Sequence, residues 1–198
     1  MRSVLLSLLL ASCIHSLSAQ FSENNALYLS TETNFGNYFG LDLQLNYLLD
    51  YNWSFNLGFT GGLRTPTSLP QDYDSGLFGA LFLGLAEPHD ELVSLRLGGG
   101  KIYKLNKSGS IRANLTAGVG YTMINEPDNW QRIGSDFFDE NYAYDRRKFN
   151  TVSLILNPKF EFPLISIYGL TISPFAHLNK HRSSFGIGFG QMIGVLRP

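Results

Sequence analysis

The side chains suited to catalysis gather in one short stretch: His177, Asn179, His181, Ser183 and Ser184. A serine becomes nucleophilic when a histidine within hydrogen-bond reach takes its proton and a third group orients that histidine. Acyl hydrolysis is therefore the chemistry this stretch offers. Alternation puts His177 and Asn179 on one face and leaves His181 and Ser183 at a turn. That arrangement reads as structural, and no catalytic residue is assigned. His89, within Glu87-Pro88-His89-Asp90, is an isolated loop histidine. The sequence has no G-x-S-x-G elbow, H-E-x-x-H, C-x-x-C or phosphate loop. Its one cysteine, Cys13, excludes a disulfide framework and a Cys-rich zinc site. Neither a cofactor nor a metal is expected.

A second group of chemistry-bearing residues occupies 125–148. Glu126, Asp128, Asp136, Asp139, Glu140 and Asp145 alternate there with Trp130, Phe137, Phe138, Tyr142 and Tyr144. Carboxylates among aromatics suit a cation, a sugar or a partner protein, although the spacing does not match a calcium-binding loop. The candidate interaction residues are Trp130, Asp136, Phe137, Phe138, Asp139, Glu140, Tyr142 and Tyr144.

The elements that must carry these groups have a period of two. In 39–50, Phe39, Leu41, Leu43, Leu45, Tyr47 and Leu49 oppose Gly40, Asp42, Gln44 and Asn46. In 110–122, Ile111, Ala113, Leu115, Ala117, Val119 and Tyr121 oppose Arg112, Asn114, Thr116, Gly118 and Gly120. Segments 53–64, 152–162, 168–179 and 184–195 repeat the pattern, which is that of strands. The second face is mostly Gly, Ser, Thr and Asn rather than Lys and Glu. Small, weakly polar residues suit a crowded interior, and continuous Leu, Phe and Ile faces suit lipid. Strands of about 9–11 residues with apolar-out, polar-in alternation are the signature of a transmembrane barrel. Such a barrel satisfies its backbone hydrogen bonds between strands, as a bilayer demands.

With its export signal, this alternation and the run Phe185-Gly186-Ile187-Gly188-Phe189-Gly190, the chain resembles the small outer-membrane β-barrels of the OmpA/OmpX kind. It is closest in flavour to the uncharacterised short barrels of Bacteroidetes-like bacteria, and the resemblance covers about residues 25 to 198. It implies an all-β, antiparallel up-and-down transmembrane barrel in the bacterial outer membrane, monomeric and surrounded by lipid. Members of the class often end in an aromatic residue, where this chain ends Val195-Leu196-Arg197-Pro198.

Nine candidate strands are found: 25–35, 38–50, 53–64, 76–86, 91–104, 110–124, 149–162, 168–180 and 183–196. Termini on the periplasmic side require an even number. Segment 76–86 is apolar on both faces, so it is read either as an extension above the membrane, giving eight strands, or as a sign of a hidden strand, giving ten. Eight is favoured. Short turns near 50–52, 106–109 and 163–167 then face the periplasm, and 65–75 and 125–148 face outward. Interior charges must be paired. Asp42 and Glu161 are expected to meet Arg96, Arg112 and Lys159 in a filled lumen without a wide channel. Arg64 also points inward, with Arg64 and Glu161 expected near the rims.

Residues 1–19 read as a secretory signal peptide cleaved after Ala19, with 20–198 forming one barrel domain. Leu10-Ala11-Ser12-Cys13 also resembles a lipobox, which would lipidate Cys13. Charged residues make up 16% of the chain, and 15 Lys+Arg stand against 16 Asp+Glu. That balance gives no electrostatic case for nucleic acid. The expected role is structural or surface-interacting, with outer-membrane lipid around the barrel and an extracellular ligand or protein at the long loop. Two alternatives are a soluble exported β-barrel binding a small apolar ligand and an outer-membrane lipid-modifying hydrolase.

Overall fold

The computed structural model describes residues 24–81, 87–134 and 140–196. The signal segment 1–19, with Cys13, lies outside them. Eight antiparallel strands close into a barrel in chain order. They are β1 (Ala26–Gly36), β2 (Phe39–Leu49), β3 (Trp53–Arg64), β4 (Asp90–Lys104), β5 (Arg112–Arg132), β6 (Tyr142–Pro163), β7 (Tyr168–Leu178) and β8 (Ser184–Val195). β1 pairs with β8 from Leu27↔Val195 to Gly36↔Gly186, so no sheet edge faces the bilayer there. The connections after β2, β4 and β6 lie at one end, and those after β1, β3, β5 and β7 at the other.

The alternation becomes an inverted burial profile. Leu43, Leu57, Leu115, Leu154 and Ile187 point outward and are 44 to 51% exposed. Between them in sequence, Asp42, Arg96, Arg112, Lys159 and Glu161 point inward and are at most 5% exposed. A water-soluble barrel has the opposite profile, and the soluble-barrel alternative fails on this ground. The interior of eight strands is just wide enough for side chains to fill.

Two expected elements differ. Segment 76–86 was one of nine candidate strands, but Gly76–Leu81 is a short helix, α1, in the β3–β4 connection. An apolar run without alternation does not specify a strand. The barrel therefore has eight strands. The second difference is 125–148, expected as a loop. β5 and β6 stay paired from Asn125↔Lys148 to Asp128↔Asp145, shift register, and resume at Gln131↔Ala143 and Arg132↔Tyr142. Most of the segment is thus an extended hairpin. Beyond the lipid-facing belt an outward side chain need not be apolar, so the hydrophobic period stops while the ladder continues. Cross-strand pairs such as Arg147–Asp128, 3.1 Å, replace it.

Candidate functional site

The lumen is built in tiers. Nearest the short turns, Ala26, Leu48, Ile102, Met192 and Leu196 form an apolar floor. Above it Arg112 from β5 meets Glu161 from β6 at 2.7 Å. Tyr28 and Asn114 donate to the other oxygen of Glu161 at 2.6 and 2.8 Å. Arg112 also donates to the Leu196 carbonyl at 2.9 Å. Glu161 is thus fully interior rather than near a rim, because its position in β6 aligns it with Arg112 across the ladder.

The middle tier holds two ion pairs. Arg96 lies 2.6 Å from Asp42, which also accepts from Thr60 and Gln44, both at 2.7 Å. Lys159 lies 2.8 Å from Glu32, whose carboxylate also accepts from Thr171 and Ser173. The sequence set Arg64, Arg96, Arg112 and Lys159 against only two inward carboxylates, Asp42 and Glu161, and Glu32 supplies the partner of Lys159. It was legible, since Ala26, Tyr28, Ser30, Glu32 and Asn34 alternate through β1. Glycines make room for these groups. A Cβ on Gly58 would stand 2.6 Å from Arg96 Nε, and one on Gly188 would stand 2.7 Å from Ser173 Oγ. The alternating glycines of β8 therefore belong to a packed lumen. The cavity beside Asn56, Arg96 and Asn157 measures about 10 Å³, no more than one water.

At the long-loop end, Arg64 pairs with Asp90 at 2.7 Å. Buried Glu126 gathers Arg182, Arg147 at 3.6 Å and Arg64 at 3.9 Å. The Arg64 guanidinium lies 4.7 Å over the Tyr38 ring, and burial pushes the Tyr38 phenol up to about 12. Each buried charge thus meets an opposite one, as the cost of an unpaired interior charge requires.

The His/Ser stretch is dispersed. His177 is buried with Nε2 3.2 Å from the Arg96 guanidinium, a group that only donates. The lone pair a general base would use is therefore engaged. Asn179 Oδ1 accepts from the backbone of His181 and Arg182, tying the β7–β8 turn. His181 stacks on Phe149 with centroids 4.7 Å apart. Ser184 sits opposite His177 in the ladder without a side-chain hydrogen bond to it among the described residues. The base–nucleophile contact that acyl hydrolysis needs is not formed by these groups.

The extended hairpin carries the other candidate residues as a crown. Trp130 packs against Tyr144, Tyr73 and Tyr142, with centroids 4.9, 5.7 and 6.4 Å away. Its indole donates to Ser68 Oγ at 3.1 Å, and Ser68 donates to the Pro127 carbonyl at 2.7 Å. Tyr73 donates to Glu140 at 3.0 Å and Tyr142 to Asp72 at 2.7 Å. Asn141 accepts from the Asp74 amide and donates to the Asp72 carbonyl, both at 2.8 Å. Burial and the bond to Glu140 push the Tyr73 phenol well up, and the bond from Tyr142 pulls the Asp72 carboxyl down. Trp130, Glu140, Tyr142 and Tyr144 are thus brought together. Asp136, Phe137, Phe138 and Asp139 lie outside the described residues. Ser68, Asp72, Tyr73 and Asp74 were missed, because a turn-rich segment carries no period that points at a distant hairpin.

A closed, apolar-skinned barrel with a polar, ion-paired interior is the architecture of a small transmembrane β-barrel, and its fold resembles that of the outer-membrane barrels of the OmpA/OmpX kind. The solved structures it resembles agree in fold. It superposes on a major outer membrane protein from Thermus thermophilus with a TM-score of 0.62 and 13% identity, covering 86% of this chain and 99% of that one. For Neisserial surface protein A (NspA) the values are 0.50 and 10%, over 85% and 94%. No family model matches the chain. A stretch of 65 residues is 43% identical to the alpha-2-macroglobulin homolog of Yersinia pestis. It spans 32% of this chain but only 3% of that protein.

Proposed function

We propose that this chain is a surface-interaction protein whose sealed barrel holds the crown out of the membrane towards the cell exterior. The observation that carries the reading is the β5–β6 hairpin. It rises past its neighbouring strands, and residues 68–74 tie it into an aromatic and acidic surface around Trp130 and Tyr144. Recognition segments sit on rigid scaffolds, and the ion-paired lumen provides one. The partner is an extracellular protein or glycan, met by Trp130, Glu140, Tyr142 and Tyr144, with Asp136, Phe137, Phe138 and Asp139 as further candidates from the sequence. Protease added to intact cells should cut first within 125–148, leaving a heat-modifiable barrel. Cleavage there only after the outer membrane is opened would place the crown in the periplasm and overturn the reading.

A further inference from the structure

Polar side chains interrupt the outward apolar face at the β1–β8 closure. Outward residues of β8 run Phe185, Ile187, Phe189, Gln191, Ile193, Val195, so Gln191 lies between exposed apolar neighbours of the outer face. Its ladder partner on β1 is Thr31, and Thr33 is the next outward residue there. The Gln191 carbonyl oxygen accepts from the Tyr168 hydroxyl at 3.4 Å, and its NH₂ has no partner among the described residues. These groups line an external groove of about 970 Å³ that crosses the β1–β8 closure and continues over Leu41, Leu43 and Phe59 to Leu63 and Val93.

We propose that this groove is the face on which a second copy of this chain docks, with Gln191 at the point of contact. The occupant follows from the chemistry. An acyl chain fills the volume but cannot hydrogen-bond the amide, and an unsatisfied polar group in hydrocarbon is costly. An amide is donor and acceptor at once, so it is self-complementary. Two copies inserted in the same orientation have a two-fold axis along the membrane normal, which brings equal depths face to face. Gln191 then meets Gln191 of the second copy, with Thr31 and Thr33 flanking the contact. Leu41, Leu43 and Phe59, which line the same groove, supply apolar contact beside it. The sequence led to the expectation of a monomer, and this proposal departs from it.

The test uses the full chain reconstituted in phospholipid vesicles, with association measured by energy transfer between labelled copies over a range of protein-to-lipid ratios. Q191L is compared with wild type and with L154Q, which places an amide on a different part of the wall. Wild type should self-associate, and Q191L should do so about tenfold more weakly, the scale of hydrogen bonds between membrane segments. Q191L should keep the barrel's heat-modifiability, so a folding defect is separately visible. Monomeric wild type at all ratios, with lipid alone in the groove, would overturn the proposal. Undiminished association of Q191L, or an association that L154Q weakens equally, would do so as well.

Discussion

Lys159 of β6 and Glu32 of β1 meet across the lumen at 2.8 Å, although the two strands are not neighbours in the barrel wall. A wall held only by adjacent ladders resists shear between next neighbours. A charge pair through the interior ties opposite parts of the wall together. Thr171 and Ser173 of β7 complete the shell of Glu32, so three strands converge on one carboxylate.

The first prediction follows from that convergence. Glu32→Gln strands a buried ammonium and should cost about 3–5 kcal/mol, the usual effect of removing one member of a buried pair. Glu32→Leu combined with Lys159→Met removes both charges and should recover most of that loss. Urea unfolding of vesicle-inserted barrels measures both. Additive losses in the double variant would show that the two residues do not act as a pair.

The second prediction concerns the weakest part of the wall. The β6–β7 ladder runs from Leu154↔Leu178 to Leu156↔Ala176 and resumes at Phe160↔Ile172. Continuing the register across the gap sets Pro158 opposite Pro174, and neither has an N–H to give. Asn157 Nδ2 reaches the Pro174 carbonyl at 3.4 Å as a partial substitute. Amides flanking this gap should exchange with deuterium faster than those in the β4–β5 ladder, which is paired without interruption from Glu91↔Asn125 to Lys104↔Arg112. P158V with P174V should close the gap and raise stability by about 1–3 kcal/mol, the net value of two hydrogen bonds. Equal protection of both ladders in the wild type would refute it.

How much of this was legible in the sequence depended on whether a physical constraint repeats along the chain. Lipid outside and a crowded lumen inside constrain alternate residues, so the inward direction of Asp42, Arg96, Arg112, Lys159 and His177 could be read by parity alone. What parity does not supply is pairing across the lumen. Glu161 is interior because Arg112 and Tyr28 converge on it from two other strands. Above the membrane the alternation of hydrophobicity ends, and so did the sequence's account of β5 and β6. The tie between Tyr73 and Glu140 joins residues 67 apart with no pattern between them.

The third prediction tests the lipid face. Leu115 projects outward from β5, opposite Pro158 and half-exposed. Leu115→Arg places a guanidinium near the middle of the hydrocarbon and should cost about 2–4 kcal/mol of folding stability in vesicles. Asn125→Arg, at the long-loop margin of the same strand, should cost far less. Equal effects at the two positions would mean that the apolar belt is not in lipid.

The fourth prediction concerns the pH response of the crown. Two phenol-to-carboxylate bonds hold residues 72 and 73 to the hairpin, and they respond to pH at opposite ends. The Asp72 carboxyl lies below its ordinary value because Tyr142 donates to it. Its contribution is therefore complete above the ordinary carboxylate range and is lost as pH falls through the lowered value. The Tyr73 phenol lies above its ordinary value, from burial and the bond to Glu140. Its contribution is complete below about 10, the usual phenol value, and is lost as pH rises through the raised one. The crown should therefore be tightest at neutral pH and loosen in both acid and strong alkali, while the barrel stays closed. Trp130 reports this directly, because it touches Tyr73, Tyr142 and Tyr144. The chain has two tryptophans, so Trp53→Phe leaves Trp130 as the only indole. Its emission should shift to the red at both extremes. Tyr142→Phe should abolish the acid-side response through Asp72, and Tyr73→Phe should weaken the alkaline one, to which Tyr142 also contributes. A Trp130 signal that is flat in pH, or that moves only when the barrel unfolds, would show that these bonds do not hold the crown together.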